Sequence, residues 1–209
     1  MKKFGAMVSS KTNPDNSTSP YEINITYFDA LKGTSKGADN LQIERFICSQ
    51  VIMMAMKGIP AFYIHSLLAC LNYYDGVKET GKPRSINRKK LDYNELKNLL
   101  EVPCATSKVF NELRRLIKLR KTQKAFHPDS IQEILKPGHE FFGIYRQNKE
   151  TGQELWSISN ITGSEHPLQI KNILKDGFDY YDILENRKYV SNIKSVKLKP
   201  YQTLWLIDE

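Results

Sequence analysis

Three stretches of this chain carry three different rhythms of apolar and polar residues. Over residues 1–40 no period holds. Asn13-Pro14-Asp15-Asn16-Ser17-Thr18-Ser19-Pro20 is a run of turn formers, followed closely by Tyr21, Tyr27 and Phe28. An irregular stretch of this length inside a compact domain is either disordered or lines a site. Aromatic residues bury large areas when they order, so their presence here speaks for the site. A site-lining loop is the expectation.

From Leu41 to Lys57 the pattern predicts a buried helix, because Val51, Ile52, Met53, Met54, Ala55 and Met56 leave almost no polar side after Cys48. The methionines read as core filling. Gly58 supplies a helix stop and Pro60 prevents continuation. Ala61–Leu68 then reads as a short strand buried on both faces, as in a parallel sheet. His65 within it reads first as a hydrogen-bonded core histidine and second as a ligand or base. A polar connection over 69–92 leads to an amphipathic helix ending near Lys124, with Val109, Phe110, Leu113, Leu116 and Ile117 at helical spacing.

After residue 128 the period switches to two. Phe141–Arg146, Glu154–Ile161, Leu168–Ile173, Tyr180–Leu184, Val196–Leu198 and Thr203–Ile207 are candidate strands, which together suggest a small antiparallel β-sandwich. The chain is thus expected to divide into residues 1–128 and 129–209. A buried parallel strand needs strand neighbours on both sides, and a complete (β/α)8 barrel takes about 250 residues. Residues 1–128 are therefore either an unusual helical domain or one part of such a barrel.

Composition narrows the functional classes. With 209 residues and 40% hydrophobic content, the chain can build a real core for one or two domains. No apolar run approaches the roughly 18 residues that would span a bilayer, and the apolar start at Met1–Val8 is too short for a secretory signal. Cys48, Cys70 and Cys104 are an odd number without CxxC spacing or neighbouring histidines. They read as reduced thiols in a cytoplasm, with no zinc site. The net charge of +8 raises nucleic acid as a partner. The basic residues of 114–124, however, fall between the apolar positions of the last helix, as a solvated face requires, and no nucleic-acid-reading motif accompanies them. Neither nucleic acid nor membrane is an expected partner.

Several short segments carry a family resemblance that covers essentially the whole chain in order. They are Ser19-Pro20-Tyr21-Glu22-Ile23-Asn24-Ile25-Thr26-Tyr27-Phe28-Asp29-Ala30-Leu31, Gly58-Ile59-Pro60-Ala61-Phe62-Tyr63, Asp75-Gly76-Val77 with Thr80-Gly81, and Arg84-Ser85-Ile86-Asn87-Arg88. Arg120–Pro128 and Pro200–Leu206 complete the set. Together they resemble the sucrose phosphorylase subfamily of glycoside hydrolase family 13. The resemblance implies the C-terminal part of a (β/α)8 barrel, comprising the loop after the seventh strand, the eighth strand and the last helices. A C-terminal antiparallel β domain follows.

The activity implied is retaining transfer of an α-glucosyl group to phosphate by double displacement. That chemistry needs two carboxyl groups about 5 Å apart. In this family they come from strands preceding the segment that resembles Met1–Leu31, and Asp29, Asp75 and Glu79 do not match the catalytic motifs. No catalytic residue is therefore expected in this chain, which should be inactive alone. The implied partners are a sugar or glucoside, inorganic phosphate as co-substrate without further cofactor, and a polypeptide carrying the rest of the barrel.

Three substrate-binding residues follow from the same resemblance. Arg84 aligns with the family arginine that contacts the glucosyl hydroxyls, a task suited to a fixed donor fork that keeps its proton. Tyr21 and Glu22 align with a mobile-loop pair that contacts phosphate or the acceptor; packing of Tyr21 against the barrel rim is the competing account. The subfamily usually has Gln where Glu22 stands and Asp where Ser19 stands. These departures turn the expectation from sucrose towards glucosylglycerate or another acidic or phosphorylated glucoside. Two other readings stand beside it: a non-catalytic carbohydrate-binding or assembly module, and an α-glucosidase or amylase-like hydrolase.

Overall fold

The computed structural model describes residues 2–175, 177–190 and 192–208. In chain order the elements are β1 (Met7–Thr12), β2 (Thr18–Asn24), α1 (Tyr27–Ala30), β3 (Gly33–Thr34), β4 (Gly37–Ala38), α2 (Gln42–Ala55), α3 (Ile64–Leu67), α4 (Tyr74–Thr80), α5 (Tyr93–Glu101) and α6 (Ala105–Thr122). The strands β5 (Ile131–Leu135), β6 (Phe141–Gln147), β7 (Glu154–Asn160), β8 (His166–Gln169), β9 (Tyr180–Asp182), β10 (Arg187–Tyr189), β11 (Ser195–Leu198) and β12 (Thr203–Asp208) follow. The chain folds as two compact units, one made of Met1–Ile43 and Phe62–Asn111, the other of Glu44–Ala61 and Glu112–Glu209. These units cut the chain elsewhere than at 128/129, since residues 44–61 and 112–128 cluster with the later strands.

In the first unit the stretch expected as an irregular loop is a hairpin. Its turn is closed by Asn13 N–H to Ser17 O at 2.8 Å, and the Asp15 carboxylate accepts from Ser17 N and Oγ at 3.0 and 2.6 Å. Those two bonds hold the Asp15 pKa below its ordinary value. Asn16 takes the left-handed conformation, φ 65°, that Asn tolerates in turns. The turn chemistry read from the sequence is thus real, but it joins two strands instead of marking an open loop.

The expected strand over Ala61–Leu68 does not form. Residues 60–63 form no strand, Ile64–Leu67 is a single helical turn, and Ala61, Tyr63 and Ile64 are exposed. The physical reason is that a doubly buried strand exists only between two neighbours, because its backbone donors and acceptors must be paired. Among the described residues, none provides them.

In the second unit β5–β7, β9, β10 and β12 form one antiparallel sheet in the order β10-β9-β12-β7-β6-β5, and β8 pairs with β11. Alternation sorts the side chains of this sheet. Phe141, Trp156, Ile158, Leu204 and Leu206 face one way and pack with Leu168 and Leu198 of the β8/β11 pair and with Ile170 and Leu174. The arrangement is sandwich-like, with one sheet much smaller than the other. The alternate residues of β7 and β12, Leu155, Ser157 and Trp205, are also buried. The Trp205 indole donates to Ser157 Oγ at 3.1 Å, and its ring meets Phe126 edge-on at 4.8 Å.

Within this unit α2 ends at Ala55 because two arginines take its terminal carbonyls. Arg146, fully buried, donates to Ala55 O, His127 O and Ile131 O at 3.0, 2.8 and 3.1 Å. Arg120 donates to Met54 O, Phe126 O and Gly58 O at 2.8, 3.1 and 3.3 Å. Cations at a helix C-terminus satisfy the orphan carbonyls and oppose the helix dipole. Gly58, at φ 111°, then turns the chain away.

Candidate functional site

The site lies in the first unit, where the hairpin meets the 3-10 helix Pro83–Asn87. Ser9 pairs with Glu22 and Ser10 with Pro20, so Tyr21 is an extra residue and β2 bulges there. In a regular strand, Tyr21 and Glu22 would point to opposite faces. The bulge re-aims them, and both line one open cavity of about 500 Å³ together with Ser9, Lys82, Arg84 and Arg88.

Arg84 is delivered by a sequence of local stops. Helix α4 ends at Gly81, whose φ of 66° suits a left-handed cap, with Gly81 N–H bonded to Val77 O at 2.8 Å. Pro83 opens the 3-10 helix, fully buried Ile86 anchors it, and Tyr73 N–H bonds Ile86 O at 2.8 Å. Arg84 projects outward from this anchored turn.

Arg84 Nε then donates to both carboxylate oxygens of Glu22, at 3.1 and 3.0 Å. The Glu22 hydrogen bond and charge hold the guanidinium above its ordinary pKa. Because 54% of the Arg84 side chain stays accessible, solvent screens the pair, and its weight lies in orientation more than in stability. Glu22 occupies Nε and thereby fixes the direction of the guanidinium plane. The cavity wall carries three cations, Lys82, Arg84 and Arg88, against one carboxylate, Glu22. Such a surface attracts an oxyanion.

All three residues expected from the sequence, Tyr21, Glu22 and Arg84, therefore share one cavity. Sequence reasoning assigned no role to Ser9, Lys82 or Arg88. The basic cluster from Lys82 to Lys90 was the available signal for the two cations; Ser9 enters only through strand pairing, which no local pattern announces. Among the described residues, no group of three or more His, Cys, Asp or Glu side chains is placed to hold a metal ion.

No protein-family model matches the chain. Over 208 residues, 99% of this chain, it is 35% identical to the glucosylglycerate phosphorylase of Escherichia coli, of which it covers 35%. The chain is a relative of the phosphorylases of glycoside hydrolase family 13. The glucosylglycerate phosphorylase of Allomeiothermus silvanus is 34% identical over 99% of the chain, which covers 34% of it. The crystal structure of sucrose 6F-phosphate phosphorylase from Thermoanaerobacter thermosaccharolyticum superposes with a TM-score of 0.60 at 22% identity, over 77% of this chain and 30% of that one. That likeness is one of fold, here a mixed α/β arrangement. The chain thus spans about a third of the length of the phosphorylases it matches. Among the described residues, no helix is long and apolar enough to cross a membrane.

Proposed function

We propose that this chain is the C-terminal part of an α-glucosyl phosphorylase, contributing the last barrel elements and the β domain, and that its cationic cavity receives the acidic partner of the reaction. The observation that carries the reading is the convergence of Tyr21, Glu22 and Arg84, from segments some sixty residues apart, on one cavity with Lys82 and Arg88. Phosphate and the carboxylate of glycerate are both oxyanions, and the excess of cations there suits either. Arg84 orients the ligand through the guanidinium nitrogens that Glu22 leaves open. A glucosylglycerate-type substrate is favoured over sucrose because two relatives matched over 99% of the chain are glucosylglycerate phosphorylases by name. Inorganic phosphate is the co-substrate, and the three free thiols fit a reducing cytoplasm.

The family resemblance implies that the two carboxylates of the double displacement come from strands preceding the segment that resembles Met1–Leu31, and on this reading the chain alone is inactive and takes a polypeptide with those strands as its partner. Exposed Tyr63, Ile64 and Leu71 of the first unit are the surface such a partner would cover. The test is a chimera in which these 209 residues replace the matching third of the E. coli relative. Phosphate-dependent release of glucose 1-phosphate from glucosylglycerate is expected from the chimera and not from the chain alone. Arg84→Ala in the chimera is expected to lower kcat/KM about 100-fold, the loss typical of a charged donor in a closed site. A folded chimera without activity, turnover by the isolated chain, or an Arg84→Ala effect below about threefold refutes the assignment.

A further inference from the structure

A second cavity lies in the second unit and encloses about 250 Å³. Its apolar wall includes Ile170, Leu174, Tyr180 and Tyr189, all buried and all part of that unit's core. Phe178 and Val190, about half exposed, also line it, so apolar surface runs from solvent down to the core. Among the described residues the wall adds three lysines, Lys171, Lys175 and Lys194, and no carboxylate. The Lys175 ammonium is already paired with Glu154, at 2.5 Å. Lys171 and Lys194 are exposed and have no ion-pair partner among the described residues. Ile170 N–H donates to Lys194 O at 3.1 Å, which brings the two lysine-bearing segments side by side. Two uncompensated like charges next to open apolar surface favour an anion there.

We infer that this cavity binds a small amphipathic anion, an aryl or short acyl body covered by the apolar wall with its carboxylate drawn to Lys171 and Lys194. The volume lies just under the roughly 300 Å³ at which pockets begin to enclose drug-sized ligands, which limits the body to one ring or a short chain. A sugar or polyol fits badly, because its hydroxyls need partners once they leave water and this wall has few neutral ones to give. The Tyr180 hydroxyl is already taken: Lys175 N–H donates to it at 2.9 Å, and it donates to Lys175 O at 3.3 Å. Inorganic phosphate would meet the lysines but leave the apolar wall in water. Burial of the body supplies the binding, and the screened lysines supply the preference for an anion. Such a ligand is chemically remote from the glucosides and oxyanions of the first unit's cavity, so the inference goes beyond the phosphorylase reading and needs no part of it.

The test is amide NMR on the full ¹⁵N-labelled chain, titrated separately with phenylpropionate, hexanoate, phenylpropanol, acetate, inorganic phosphate and methyl α-glucoside. At least one of the first two should shift the amides of residues 170–175 and 192–194 saturably. Phenylpropionate alone would mark an aryl ligand, hexanoate alone an acyl one, and both a site that reads only charge and apolarity. The neutral alcohol should bind about fivefold more weakly than its acid, while acetate, phosphate and the glucoside leave these amides in place. Lys171→Gln combined with Lys194→Gln, two exposed changes that spare the core, should weaken the better probe about fivefold, the sum of two screened ion pairs. The inference is overturned if neither anion shifts these amides, if acetate, phosphate or the glucoside shifts them as strongly, if the alcohol matches the acid, or if the double variant binds as tightly as the parent. Binding of an acidic, phenylalanine-containing peptide without binding of either small anion would also overturn it, and would make this face a protein-docking surface instead.

Discussion

Removing Arg146 puts the capping of α2 to a quantitative test. The guanidinium is fully buried and bonded to three backbone carbonyls, Ala55 O, His127 O and Ile131 O. Burial, with Arg120 nearby, pulls its pKa below the ordinary value, the mark of a charge the fold keeps at some expense. Arg146→Ala removes three charged hydrogen bonds, at about 1 kcal/mol or more each although His127 O keeps the Ser130 N–H at 3.0 Å, and removes a packed stem worth about 1–2 kcal/mol. Relief of the buried charge offsets part of this, so the net loss should be about 3–4 kcal/mol. For a chain of this size that corresponds to a fall of about 10 °C in melting temperature. Arg146→Met separates the contributions: it refills the volume, supplies no donor, and should recover only about 1 kcal/mol. The assay is built into the protein, because its two tryptophans, Trp156 and Trp205, both lie in the sheet of the second unit. Urea unfolding followed by tryptophan fluorescence therefore reads that unit alone. An Arg146→Ala loss below about 1 kcal/mol, or a methionine variant as stable as the parent, would show that water satisfies these carbonyls and that the arginine cap is incidental.

Asp182 makes a pH-dependent companion. Burial pushes its pKa up from 3.8 to about 6, against the N–H groups of Trp205, Leu184 and Glu185 that favour the anion. Its folded pKa exceeds the unfolded one, so its contribution is fully present below about pH 4 and is lost as pH rises through about 6. Asp182→Asn, which keeps an acceptor for Trp205 and Leu184, should gain on the parent between pH 4 and 7; a constant difference in urea midpoint across that range would refute the shift. Hydrogen exchange should be slowest in β7, buried along its whole length, and faster by orders of magnitude in the first unit's exposed hairpin, where among the described residues β2 has only β1 for a strand partner; equal protection would contradict that ordering. In the active chimera, Glu22→Gln should release Arg84 and raise KM for the acidic partner with a smaller change in kcat, while an unchanged KM would remove Glu22 as a positioning residue.

What could be read from the sequence depended on where each element finds its partners. The helix expected over Leu41–Lys57 appears as Gln42–Ala55, because its apolar sides and its Gly58 stop are written locally. All six expected strands beyond residue 128 occur, with ends shifted by up to a few residues, because alternation is local too. The segment expected as Leu168–Ile173 instead runs as His166–Gln169 and then a 3-10 turn. Strands β5 and β10 were missed: Ile131–Leu135 sits at an edge with no fully buried position, and Arg187–Tyr189 is three residues long with two of them exposed. Ala61–Leu68 failed for the opposite reason, since its apolar run describes a doubly buried strand and no described residue supplies it with a neighbour. At the site, the segments could be named from resemblance, but their meeting depends on register. Nothing local to Glu22 says that Arg84 stands 3 Å away.

The bulge at Tyr21 makes the cavity wall a matter of counting as well as of chemistry. Two consecutive side chains share one wall only because β2 holds one residue more than its partner between Ser9 and Ser10. Deleting Pro20 would restore strict alternation and send either Tyr21 or Glu22 to the far face, without altering any other side chain. In a scaffold of this kind a change of ligand can arise in one step, by altering the length of a strand and leaving its composition alone. Descendants separated by such an indel would look nearly identical in alignment and still present different walls to what they bind.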